Sequence, residues 1–202
     1  MDLATVIIVN WNGRHLLPDC LKSLREQEFK KFKTILVDNG SSDGSVDWVR
    51  GCYPEVKVIP LSTNAGFCVA NNVGYGAAKS KYVALLNNDA IAHPLWLQSL
   101  VAALETHEQA GFAASKILIF GKPDTIDRAG DGYTSAGVGL LRGRGMRSNA
   151  YDQQEWIFGA CAAAALYRKR MIDEIGFFNE DFFLLYEDVD LSFRAQLKGY
   201  RC

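Results

Sequence analysis

Residues 5–13 read Thr5-Val6-Ile7-Ile8-Val9-Asn10-Trp11-Asn12-Gly13, and Leu16, Leu17, Cys20, Leu21 and Leu24 follow at helical spacing. A continuous β-branched run is a strand buried on both faces, the Asn-Trp-Asn-Gly segment is a turn, and the spaced leucines form the apolar stripe of a helix. The unit then repeats. Phe32 to Val37 predicts a second strand, Asp38 to Ser45 a loop, and Val46 to Arg50 a short helix. Val56 to Leu61, Ser62 to Gly66 and Cys68 to Ala78 repeat strand, loop and helix. Tyr82 to Leu86, Asn87 to Ala92 and Pro94 to Thr106 do so again, the last helix with proline in its first turn. Strands alternating with helices predict an α/β fold with a mostly parallel central sheet flanked by helices.

The second half is less regular. Phe112 to Phe120 predicts a bent strand, Trp156 to Tyr167 another, and Lys169 to Ile175 a helix stopped by Gly176. Between Gly121 and Tyr151 glycines accumulate and periodicity fades, as in binding loops, lids or disordered pieces. Further on, the apolar run Phe182-Phe183-Leu184-Leu185-Tyr186 delivers Glu187-Asp188-Val189-Asp190 to a helix start. Carboxylates held at the exit of an apolar segment serve as a catalytic base, a metal site or a charged helix start, and Asp190 is four residues before Arg194, the spacing of a surface ion pair.

Composition narrows the classes. At 202 residues, 49% hydrophobic and 22% charged, the chain is predicted to form one domain. A net charge of −1 supplies no basic field, so no nucleic-acid partner is expected. The five cysteines are scattered with no Cys-x-x-Cys spacing, which argues against a disulfide framework or zinc site and for a reducing, cytoplasmic setting. The start lacks the basic segment of a signal peptide, and the longest apolar run is too short to span a bilayer; peripheral membrane contact stays open.

Ligands of open parallel sheets bind beyond the carboxyl ends of the strands, where this chain carries Asn10, Asp38, Asn64 and Asn87-Asn88-Asp89. Within Asp38-Asn39-Gly40-Ser41-Ser42-Asp43-Gly44-Ser45, a carboxylate can accept the imide N–H of uracil or thymine or a ribose hydroxyl, while serine and glycine donors meet nearby oxygens. No Gly-Lys-Ser/Thr phosphate loop and no complete Gly-x-Gly-x-x-Gly fingerprint occurs. Asp89 with two amides is a sparse set of hard oxygens, enough for Mg²⁺ or Mn²⁺ when a diphosphate supplies the remaining ligands, and equally a turn in which Asp89 caps the next helix. No nucleophile elbow or Cys/His pair is present, and His15, His93 and His107 lack metal spacing.

Taken in order, Val6 to Gly13, Val37 to Ser45, Asn64-Ala65-Gly66-Phe67, Leu85 to Asp89, and Gly176 to Glu180 continuing through Tyr186 to Leu191 resemble the family 2 glycosyltransferases, in particular the rhamnosyltransferase-like branch. The resemblance covers nearly the whole chain. It implies a GT-A fold with a small antiparallel portion near the acceptor side, and inverting transfer from a nucleotide-diphosphate sugar to a hydroxyl of a glycan or lipid-linked acceptor in cell-surface polysaccharide synthesis. The implied donor carries thymidine or uridine diphosphate, with TDP-rhamnose favoured. Asp188 is the implied general base, Asp89 the residue holding a divalent cation, and Glu187 and Asp190 supporting or acceptor-contacting residues. The implied donor site comprises Asn10, Asn12, Asp38, Asn39, Ser41, Asp43, Asn64, Gly66, Phe67, Asn72, Asn87, Asn88, Gly159 and Ala160. Residues 1–92 are the expected nucleotide-binding half and 93–202 the acceptor and base half. The expected working place is the cytoplasm, at the inner face of the membrane.

Two departures accompany the resemblance. Asn87 stands where the wider fold commonly has the first Asp of Asp-x-Asp, and further loop and helix, expected beyond the Glu187-Asp188 helix, are not in the sequence. A donor-binding module without catalysis is therefore the second reading. A methyltransferase using S-adenosylmethionine is the third, and it fits less well because the loop at Asp38 lacks Gly-x-Gly-x-Gly and follows the second strand.

Overall fold

A computed structural model describes residues 2–202. Four strand-helix units open the chain: β1 (Ala4–Asn10) and α1 (Leu17–Arg25), β2 (Phe32–Asp38) and α2 (Ser45–Cys52), β3 (Lys57–Pro60) and α3 (Phe67–Ala77), β4 (Tyr82–Leu86) and α4 (Trp96–Thr106). β5 (Phe112–Ala114) follows, then the short strands β6 (Lys116–Ile119), β7 (Lys122–Ala129), β8 (Asp131–Tyr133) and β9 (Gly139–Leu141). The chain then returns through β10 (Ala164–Arg168), α5 (Lys169–Ile175) and α6 (Glu187–Leu197).

The main sheet has the order β3-β2-β1-β4-β10-β5. Its first four strands are mutually parallel, and β10 runs antiparallel to both β4 and β5. Alternation along β1 divides the core. Ala4, Val6 and Ile8 face α1, α2 and α4, whereas Ile7 with Val37, Val83 and Leu85 faces α3, α5 and α6. Burial on both faces is why these strands read as unbroken apolar runs. Register sets the polar ends in line, with Asn10 paired to Asp38 and Asp38 to Pro60.

Sequence periodicity located the first half and misread parts of the second. The strand expected over 112–120 breaks at Ser115, whose hydroxyl accepts from Trp96 Nε1 at 2.8 Å; β6 leaves the sheet and pairs with β7. The fading segment 121–151 holds most of two ribbons, β6–β7 and β8–β9. They lack a clear apolar period because both are two-stranded and much of β7 is exposed, so little of their alternation is enforced by burial. Of the strand expected over 156–167 only the last part is regular. Residues 157–163 take an irregular course, touching β8 through mutual bonds between Gly159 and Asp131 at 2.8 and 3.1 Å.

The approach of α3 to the sheet depends on Gly74, where a Cβ would lie 2.6 Å from Ile7 Cγ2 and 3.2 Å from Val37 Cγ2. Two residues on, a Cβ at the exposed Gly76 meets nothing within 4 Å. Gly74→Ala is expected to lower stability by about 1–3 kcal/mol through overpacking. Gly76→Ala is expected to raise it by roughly 0.5–1 kcal/mol through helix propensity. Urea midpoints of the two variants should move in opposite directions; a shared direction would refute this packing.

Candidate functional site

Asn10 is fully buried at the end of β1, and its side chain joins three strand ends. Its Nδ2 donates to Asp38 Oδ1 at 3.1 Å and to Ser41 Oγ at 3.3 Å, and its Oδ1 accepts from Asn88 Nδ2 at 2.9 Å. Gly13 makes room for this junction, since a Cβ there would sit 2.3 Å from Asn88 Nδ2. Asp38 is 1% exposed, and its Oδ2 accepts from the Ser41 N–H at 2.9 Å. Asn12, in the left-handed region at φ 50°, accepts from Ser42 N–H at 2.9 Å.

The neighbouring loop is tied in the same way. Asn39 Nδ2 donates to Asn64 Oδ1 at 2.8 Å and to the Gly66 carbonyl at 3.2 Å, and Asn39 Oδ1 accepts from Ala65 N–H. Phe67 begins α3, its N–H bonded to the Phe183 carbonyl at 2.9 Å. Asp43 is exposed and accepts from Arg14 N–H at 2.8 Å and Ser45 N–H at 3.0 Å. Burial pushes Asp43 up, but the bonds from Ser45 and Arg14 outweigh it and hold the carboxyl below its usual value.

Across the sheet end lies a cleft of about 410 Å³, lined among others by Asn87, Asn88, Arg128, Asp131, Leu140, Cys161, Tyr186, Glu187 and Asp188. Leu185 and Tyr186 both have left-handed backbones, at φ 74° and 69°, and turn the chain sharply into α6. Non-glycine residues in that region cost of order 1 kcal/mol each, and such outliers gather at functional sites. Glu187 folds inward and is 5% exposed with Oε2 unpartnered; burial first, and the Asp188 charge next, raise its pKa, while its own backbone N–H opposes. Asp188 is half-buried, its Oδ1 accepting from Val189 N–H at 2.8 Å and its Oδ2 from Ala162 N–H at 3.3 Å. The first turn of a helix favours an anion there.

One segment joins the two acidic places. The Ala163 carbonyl accepts from Asn87 N–H at 2.8 Å, and the adjacent residue, Ala162, donates to Asp188. The Asn87-Asn88-Asp89 turn and Asp188 are thus hung on neighbouring residues. Asp89 is exposed and makes no side-chain hydrogen bond or ion pair among the described residues, where no group of three or more His, Cys, Asp or Glu side chains is placed to hold a metal ion. A lone free carboxylate beside two amides fits a cation shared with a diphosphate and does not fit a cage made by protein alone.

Several expected site residues are used elsewhere. Both ends of the Asn72 amide are engaged, Nδ2 with the Phe178 carbonyl at 2.9 Å and Glu180 at 3.0 Å, and Oδ1 with Phe178 N–H at 3.2 Å. Asp190 pairs with Arg194 at 2.9 Å, and Arg194 in turn clamps the carbonyls of Ile175, Gly176 and Phe177. Ala160 is fully buried in the core, and a Cβ at Gly159 would meet Ser192 Oγ at 2.5 Å, so this small pair serves helix packing. Cys161 lines the cleft, but burial pushes its thiol up to about 11, which denies it a thiolate at neutral pH. A larger cavity, about 630 Å³ beside β5 and Trp156, shares no lining residue with this cleft.

The model of the family described as "Glycosyl transferase family 2" matches residues 5–176, a span running from β1 to the glycine that ends α5. The chain belongs to glycosyl transferase family 2. Among family relatives, the N-acetylglucosaminyl-diphospho-decaprenol L-rhamnosyltransferase of Mycobacterium tuberculosis is 28% identical over 232 residues, covering 98% of this chain and 72% of the relative. An uncharacterized glycosyltransferase of Haemophilus influenzae is 27% identical over 109 residues, covering 52% of this chain but 34% of its own length. A mannosyltransferase from Pyrobaculum calidifontis, solved in complex with GDP-Man and Mn²⁺, superposes with a TM-score of 0.73 at 18% identity, over 98% of this chain and 53% of that one. The chain thus spans about a third of one such relative and about half of that solved structure. The fold is GT-A, with the mostly parallel sheet and small antiparallel strands expected. Among the described residues no helix is long and apolar enough to cross a membrane.

Two cleft residues, Arg128 and Asp131, were not marked by sequence reasoning; their one signal is an i,i+3 pair of opposite charge across Gly130, inside a stretch without period. Burial raises Asp131 from 3.8 to about 6, with the Asp188 charge adding to the rise and Arg128 opposing it. Because the folded value is the higher one, the stability this group contributes is complete below about pH 4 and is lost as pH rises through about 6. Asp131→Asn keeps an oxygen for Arg128 and removes that titration. The stability of Asp131→Asn minus that of the parent is expected to grow between pH 4 and 7, by about 2 kcal/mol after allowance for solvent screening. Urea titrations across this window that gave a constant difference would contradict the buried placement.

Proposed function

We propose that this family 2 member transfers a sugar, with inversion, from a nucleotide-diphosphate donor to a hydroxyl of a glycan or lipid-linked acceptor in cell-surface polysaccharide synthesis. The observation that carries the reading is the shared suspension of the Asn87 turn and Asp188 from Ala163 and Ala162. The donor lies along residues 1–92, above the ends of β1, β2 and β4, and residues 93–202 supply the acceptor side and the base. Asn10 and Asp38 set the shape of the nucleotide site from beneath. Exposed Asn12 and part-exposed Ser41 and Asn64 are the groups available to base and ribose.

Asp89, with the amide oxygen of Asn87, would hold Mg²⁺ or Mn²⁺ together with the diphosphate; the cation supplies charge neutralisation for the leaving group. Asp188 takes the proton of the acceptor hydroxyl as that oxygen attacks the anomeric carbon from the face opposite the diphosphate, and inversion follows from that geometry. Glu187 braces the helix start from behind. The name of the mycobacterial relative supports a rhamnose donor and a lipid-diphosphate-linked acceptor; we take the donor as thymidine-diphosphate linked or its uridine equivalent and the working place as the inner face of the membrane.

Calorimetry with UDP, TDP and GDP, each with and without Mn²⁺, tests the donor side. Asp89→Ala should weaken diphosphate binding about tenfold or more in the presence of Mn²⁺ and little in its absence. Asp188→Asn should lower the turnover number by about 10²–10⁴ while donor affinity stays within about twofold. Full transfer by Asp188→Asn would remove the base assignment. Donor binding by the parent chain without turnover on any acceptor would support the reading of a binding module.

A further inference from the structure

Among the described residues, four buried side-chain polar atoms lack a partner: Arg128 Nε, Asp131 Oδ2, Tyr167 Oη and Glu187 Oε2. Two of them belong to one ion pair, Arg128 Nη1 to Asp131 Oδ1 at 3.2 Å. That pair lines the cleft of Asp188, and Asp131 is only 3% exposed. Leaving a buried polar group unmet costs about 1–3 kcal/mol, and such groups in native proteins call for an explanation. The fold holds the pair in place. Gly130, at φ 79°, bends the chain between β7 and β8 so that residues 128 and 131 face one another. The mutual bonds of Asp131 and Gly159 fix the backbone, and the missing Cβ of Gly159 lets Ser192 of α6 pack against it.

The chemistry of the two atoms selects the ligand. One is an N–H donor and the other a carboxylate acceptor, and both belong to residues that line the cleft. An anion would satisfy Arg128 and be repelled by Asp131, Asp188 and Glu187. A cation would satisfy the carboxylates and be repelled by Arg128. Neutral sugar hydroxyls meet both needs, one accepting from Nε–H and a neighbour on the same ring donating to Oδ2. We propose that Arg128 and Asp131 form an acceptor subsite that holds neighbouring hydroxyls of the acceptor sugar beside the hydroxyl that reacts. This rests on the reading of Asp188 as the base and adds what that reading lacks, a group that positions the acceptor. Sites built to pair a substrate hydroxyl discriminate strongly against analogues without it, so the pair also serves specificity.

The arginine Nε–H NMR spectrum of the full chain, with the Arg128 signal identified by its loss in Arg128→Lys, tests the subsite. The probes are the methyl glycosides of rhamnose, glucose, mannose and N-acetylglucosamine, with tetrahydropyran as a ring without hydroxyls. The Arg128 signal should shift saturably with at least one glycoside and stay still with tetrahydropyran. Arg128→Lys keeps the ion pair but lacks Nε–H, so binding followed at the Ala162 amide should weaken about tenfold, as it should in Asp131→Asn. Asp188→Asn should leave the Arg128 response within about twofold, because the hydroxyls at Arg128 and Asp131 are still held. No response to any glycoside, an equal response to tetrahydropyran, or undiminished binding in Arg128→Lys would overturn the subsite, whether or not Asp131→Asn folds. Full transfer by Asp188→Asn with the Arg128 response intact would instead remove the base and leave the hydroxyl subsite standing.

Discussion

The buried amide of Asn10 is the constraint on which the site depends. It bridges the ends of three neighbouring parallel strands, bonding Asp38 and Ser41 on one side and Asn88 on the other. Parallel pairing alone aligns the strand backbones; loops leaving those ends are otherwise free to diverge. A side chain with one donor and one acceptor group, sealed from water, ties them because each unmade bond would leave a buried polar atom. The amide of Asn39 repeats the device one loop further out, drawing Asn64 and Gly66 toward β2. Much of the polarity in these loops therefore serves to build the platform, and the residues exposed above it, such as Asn12 and Asp89, are those left for a ligand.

The opposite wall has a different origin. β10 enters the sheet antiparallel to β4, so the segment before it ends beside the loop after β4. Ala162 and Ala163 then reach Asp188 and Asn87 from adjacent peptide units. Small side chains at 159–165 make that approach workable, allowing α6 to lie close enough for its first carboxylate-bearing turn to reach the segment. The ribbon β8–β9 completes the cleft with Asp131 and two half-exposed leucines, Leu140 and Leu141, giving it one polar and one apolar flank.

The first four strand-helix units are legible in the sequence within a few residues, because β1, β4 and most of β2 are buried on both faces and are therefore apolar through most of their length. The irregular second half resisted the same reading. β7 begins exposed and is buried only at Ile126 and Ala129, its second edge meeting the segment 142–148 through scattered single bonds, and the segment 157–163 is apolar because it is packed, without being a strand for most of its length. Asn72 was a plausible ligand as a residue type, yet its amide is taken up by the backbone of Phe178, 106 positions away, which no local pattern encodes. The pairing of Asp190 with Arg194, by contrast, follows the i,i+4 spacing visible in the sequence.

By itself the sequence determined the α/β class, the line of polar strand ends and the acidic helix start, since all three follow from local periodicity and residue chemistry. Tertiary structure alone decided which carboxylates share a cleft. Asp188 and Asn87 meet through Ala162 and Ala163, and Asp131 joins them only because a bend at Gly130 and a missing Cβ at Gly159 let a ribbon, a loop and a helix converge. Those contacts join residues tens of positions apart, and their energies depend on burial and on partners that exist only after the chain has folded.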